Sequence, residues 1–152
     1  MLYLCELPLH ALIRELDGGM SGPFILKGPI GSTLNEDLSE QEVIEFSSIP
    51  NPDFPQVAEE ESYKLSKDQS YFYPMTQAVI AGHVPEELLK EEPGNLNHSR
   101  WVTLANQYLR KYVSTPRPSK QFKEIVHAIV VFYAPSWFQV KAQMVLKVFK
   151  ET

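Results

Sequence analysis

Between residues 97 and 113 apolar side chains return at helical spacing. Trp101, Leu104, Ala105, Tyr108 and Tyr112 fall on one stripe, widened by Val102, Leu109 and Val113. That spacing predicts a helix with one buried face. Asn97 is placed as its N-cap, His98 and Ser99 lie in its first turn, and Trp101 is expected to anchor the stripe. Arg110 and Lys111 occupy the last turn, where positive charge complements the helix dipole. The segment "STPRPS" then breaks the helix. Residues 120–133 are apolar nearly all round in their second half and should form the most buried helix. Pro135 ends or kinks it, and 137–150 reads as a final amphipathic helix.

Upstream, "SKDQSYFYPMTQAVIAG" predicts a helix over 66–82, with Ser66 and Gln69 in capping-box spacing and Phe72, Met75, Val79 and Ile80 on one face. Pro74 should kink this helix and Gly82 should end it. A short helix is expected from Pro85. Near the N-terminus, Leu9, Leu12, Ile13 and Leu16 predict a helix that starts about Pro8 and stops at Asp17-Gly18-Gly19. The Gly/Pro-punctuated run that follows predicts a series of turns. "EVIEFS", 42–47, alternates weakly and allows at most one short strand. Prolines 50, 52 and 55 together with Glu59, Glu60 and Glu61 predict an exposed, extended stretch.

The fold expected is therefore mainly α. A bundle-like helical domain over 63–152 follows an N-terminal helix and Gly/Pro loop region, 1–46, and an acidic, Pro-rich linker, 47–62. The helices at 66–82, 97–113, 120–133 and 137–150 should make the core, with the N-terminal helix packed less firmly.

Composition narrows the function classes. The chain has 152 residues and a single cysteine, Cys5, so neither an intramolecular disulfide nor a multi-Cys zinc site can form. That fits a reducing intracellular compartment, nuclear or cytoplasmic, with a secreted protein without disulfides as the alternative. The apolar N-terminal run carries Glu6, Pro8 and His10 with no basic leader, so it does not read as a signal peptide. No run approaches the roughly 20 apolar residues of a membrane span. The net charge of −5 conceals an asymmetry. Residues 36–61 hold nine acids and no Lys or Arg, whereas 99–152 hold nine Lys or Arg against Glu124 and Glu151. Such blocks are either solvated faces or a basic third that meets an anionic partner.

Catalytic signatures are missing. The glycines form no phosphate-binding fingerprint, and no Gly-x-Ser-x-Gly elbow exists. The four histidines show no metal-ligand spacing. No enzyme activity, cofactor, metal or small-molecule substrate is inferred. The candidate contact residues are cations for nucleic acid: Arg100, Arg110, Lys111, Arg117, Lys120 and Lys123, with Trp101, Tyr108 and Tyr112 interleaved. Those aromatics also lie on the apolar stripe, where core packing accounts for them. A protein partner is the other expectation.

Four segments, "ELPLHALIRELDGGMSGPFILKGPIGSTL", "SKDQSYFYPMTQAV", "PGNLNHSRWVTLANQYLRKYV" and "YAPSWFQVKA", together resemble a group of invertebrate proteins. That group in turn is similar to hAT-superfamily transposases, with their RNase H-like catalytic fold. The link to hAT rests on Arg100-Trp101 followed by a helix. The resemblance implies that Arg100 and Trp101 are structural residues, not metal-binding acids. The segments that would carry the acidic metal ligands are not matched, and a two-metal site needs convergent carboxylates. The expectation is a truncated or domesticated fragment without transposase activity, its interaction surface on the basic C-terminal third.

Overall fold

The computed structural model describes Leu9, residues 11–16, Leu34, and residues 42–56, 67–91 and 100–139. Among them the chain is mostly helical and forms no strand, so the architecture is mainly α. Helix α1 runs Lys67–Ala81 and passes through Pro74 as one element. It stops where glycine was expected to stop it. Gly82 takes φ +83, and the N–H groups of Gly82 and His83 both reach Ala78 O, at 2.9 and 3.2 Å. This left-handed position costs a Cβ-bearing residue steric energy. A Cβ there would also lie 3.2 Å from the Ser48 Cβ, so residue 48 crosses close over the end of α1. Helix α2, Glu86–Leu89, follows Pro85, with Glu86 and Glu87 in its first turn and Leu88 buried.

Helix α3, Arg100–Tyr112, packs on α1 and carries the predicted stripe. Leu104, Ala105, Tyr108, Leu109 and Tyr112 are buried. Trp101 is not the anchor expected of it. It is only half-buried, because it sits in the opening turn while the stripe is deepest from Leu104 onward. Asn97, His98, Ser99 and the capping pair at 66 and 69 involve positions outside the described residues, save Gln69, which is half-buried in α1.

Helix α4, Lys120–Ala128, is capped by Ser119, whose Oγ accepts from the Phe122 N–H at 3.2 Å. It continues into a π-helical turn, Ile129–Tyr133, and residues 134–139 remain helical. The π-turn and Pro135 belong together. The Ala134 N–H bonds Ile129 O, five residues back. In that register Val130 O would take its hydrogen from residue 135, and proline has none to give. A side chain fills the vacancy: Asn51 Nδ2 donates to Val130 O at 3.2 Å. Pro135 therefore neither ends the helix nor stands alone as a kink. The helix widens just ahead of it. Trp137 and Phe138 beyond it are buried, and the remainder of the predicted final helix lies outside the described residues.

Asn51 belongs to a strap, residues 42–56, that has no regular structure and lies along the helices. Sequence alone allowed a short strand at 42–47 and an exposed stretch from 47. The strand does not form, because the strap's neighbours are helices. Its N–H groups instead find carbonyls at helix ends, Ile44 to Val113 O and Ile49 to Val79 O, each at 3.0 Å. Tyr112 and Tyr73 hydroxyls donate to Ser47 O and Pro55 O, at 2.8 and 3.3 Å. Ser47, Ser48, Pro50, Pro52 and Asp53 are exposed as expected, whereas Ile49, Asn51, Phe54 and Pro55 are half-buried. Glu59, Glu60 and Glu61 lie outside the described residues. Replacing Asn51 by Ala should cost about 1–2 kcal/mol, since it removes the side-chain donor to the Val130 carbonyl ahead of Pro135. A denaturant midpoint equal to the wild type would contradict this account of the π-turn.

Leu9 and Ile13 are buried in the same core as the helices, together with Leu34. The N-terminal helical segment, 11–16, is thus joined to the body more closely than its distance in sequence suggested. The rest of the Gly/Pro loop region lies outside the described residues.

Candidate functional site

On α4 the buried positions are Phe122, Ile125 and Val126, which leaves Lys120, Lys123, Glu124 and His127 on the outer face. The strap runs beside that face, held at Ser47 by the Tyr112 hydroxyl. Burial pushes the Tyr112 phenol up from its ordinary range, so it stays protonated and keeps donating. Between strap and helix lies an open groove of ≈ 610 Å³. Tyr112 and Ala128 line it, Ile49 forms part of one wall, and Leu12 and Phe132 contribute apolar surface. Phe132 is 65% exposed, the large apolar side chain that the core leaves in solvent among the described residues. Its volume falls in the usual range of ligand-binding clefts, roughly 300–1,000 Å³.

A smaller recess of ≈ 200 Å³ adjoins the groove, and the two share Ser47, Tyr112 and Lys123 as lining. Glu45, Thr115, Arg117 and Pro118 help complete the recess. Arg117 stands between two prolines with φ 52, a left-handed conformation that is unfavourable for a side chain with a Cβ.

The six candidate cations are not one surface. Arg117, Lys120 and Lys123 meet around the groove and its recess. Lys111 is half-buried on α3, and the Arg100 side chain lies outside the described residues. Arg110 is only 2% exposed. Its Nη1 donates to Ser114 Oγ, and desolvation lowers its pKa while the neighbouring Tyr71 acts in the opposite sense. A guanidinium held inside the fold in this way does not present itself to a phosphate. The sequence did contain the signal. Thr103, Asn106 and Arg110 are spaced as one face of α3, and all three are buried.

No protein-family profile, curated protein or solved structure matches the chain. The groove must therefore be read from its own chemistry. Among the described residues no three His, Cys, Asp or Glu side chains gather to hold a metal ion, and no helix is long and apolar enough to cross a membrane. Sequence reasoning missed the groove residues on the strap, Tyr112 as part of its lining, and Phe132. An all-round apolar helix gives no sign of which apolar residue faces out. Here the answer depends on the widened turn before Pro135.

Proposed function

We propose that the chain is a non-catalytic interaction domain that takes an apolar, acidic segment of a partner protein into the groove beside α4. The observation that carries this is the exposed Phe132 ring at an apolar groove large enough for a peptide. Exposed aromatic surface in a concave setting is a common anchor for a partner's side chains. The acidic character follows from Lys120 and Lys123, which flank the apolar surface and outnumber Glu124. The transposase-derived origin is kept as part of the proposal, supported by the four ordered sequence segments. Nucleic acid is the weaker candidate. Phosphate binding gains with each cation that pairs, and Glu45 and Glu124 stand among the cations at this surface.

Selection of peptides from a displayed random library on the purified chain tests the proposal. Phe132→Asp should abolish binding of the selected peptides while changing stability by less than about 0.5 kcal/mol, as exposed substitutions do. Equal binding to the variant, or failure to select any peptide, would refute the groove. Metal-dependent nicking of DNA by the isolated chain would refute the non-catalytic part.

A further inference from the structure

Resting on that reading of the groove, we infer that the recess lined by Arg117 and Lys123 seats a single carboxylate of the bound segment and so fixes its direction. The recess opens onto the groove through shared lining residues, Ser47, Tyr112 and Lys123. Two of its hydroxyls are committed as donors elsewhere: Tyr112 donates to Ser47 O and Thr115 Oγ1 to Lys111 O, at 2.8 and 2.6 Å. The charged donors of the lining are the Arg117 guanidinium and the Lys123 ammonium. Both side chains are exposed, so a ligand reaches them without first prising them from the core.

The charge count selects the ligand. Two cations face one anion, Glu45, which leaves a single positive charge. One Asp or Glu side chain balances that surplus, whereas a phosphate dianion would overshoot it and be repelled by Glu45. Glu45 thereby acts as a discriminator between carboxylate and phosphate. At the other end of the groove, Phe132 offers only apolar contact. Lys123 and Phe132 lie on one helical run, and their separation at helical rise is about 13 Å. The bound segment should therefore carry an acid and a bulky apolar residue at about that distance, roughly four residues apart if extended. The acid lies toward the start of α4 and the apolar residue toward the π-turn.

The test uses the full chain and peptides from the same displayed library, labelled and titrated by fluorescence anisotropy. The expected result is enrichment of one Asp or Glu at fixed spacing from a bulky apolar residue. The double variant Arg117→Glu, Lys123→Glu should weaken such peptides at least tenfold, and changing the acid to Lys in the peptide should restore binding to that variant. Arg117→Gly removes the charge at a position whose left-handed backbone suits glycine, so it should weaken binding with the fold intact. Peptides that show no acidic preference and bind the double variant normally, yet fail on Phe132→Asp, would overturn the carboxylate seat and spare the groove. Tighter binding when phosphoserine replaces the acid would overturn the assignment to a single negative charge. Selected peptides that bind Phe132→Asp unchanged would overturn the groove itself.

Discussion

Truncating Phe72 to Ala should destabilise the protein by about 3–5 kcal/mol. Its ring is 0% exposed at the centre of α1's buried face. It stacks on Phe138 at 5.5 Å, tilts against Tyr133 at 5.8 Å and meets the edge of Trp137 at 6.5 Å. These partners lie on both sides of Pro135, so Phe72 ties α1 to the π-turn and to the helical stretch beyond it. Loss of the ring removes apolar burial and also leaves a cavity that three large neighbouring rings can collapse into only in part. Against a typical stability of about 5–15 kcal/mol, the loss is a large fraction of the whole. Equilibrium unfolding in urea measures it. A change under about 1 kcal/mol would mean that the aromatic cluster is not the centre of this core.

The second large effect appears in alkali. Burial pushes the Tyr71 phenol up to about 12, with the Arg110 charge opposing that rise and Glu91 adding to it. Its folded pKa thus exceeds its unfolded value of about 10. Between these values the unfolded chain gives up the proton and the folded chain keeps it, so unfolding becomes easier as pH rises. The contribution is fully present below pH 10 and fades as pH climbs toward 12. Two pKa units correspond to about 2–3 kcal/mol. Tyr71→Phe has no proton to lose, and its stability should fall less over this range. Unfolding free energies of the two proteins at a series of alkaline pH values supply the comparison, and parallel curves would sink the prediction. The difference between the two proteins isolates the contribution of Tyr71.

Much of the helical scaffold can be read from the chain, for local reasons. Gly82 ends α1 because its left-handed backbone suits glycine, and Pro85 opens α2 because a first turn needs no N–H there. The stripe on α3 follows from its period. Other features depend on partners far away in sequence. The strap has no period of its own, and what binds it is a scattered set of groups: Phe46 on Tyr112, Phe54 on Tyr73 and Phe138, and Asn51 on Val130. Arg110 looked like a surface charge because it sits in the last turn of its helix. Its burial follows from packing around α3, to which α1 and α4 both contribute. Of the candidate site, the cations Arg117, Lys120 and Lys123 were legible and the surface between them was not. Its wall and floor come from the strap and from Tyr112, which sequence could assign only to a linker and to the core.

The bond from Asn51 to Val130 spans 79 positions along the chain. A link between segments so remote gains nothing until the helices it joins are already in place, because the intervening loop must first be closed. The strap is therefore expected to dock late on the folding route. Asn51→Ala should show this as a faster unfolding rate with a refolding rate nearly unchanged. The strap is then a latch, closing after the helical body has assembled and deciding how long it stays assembled.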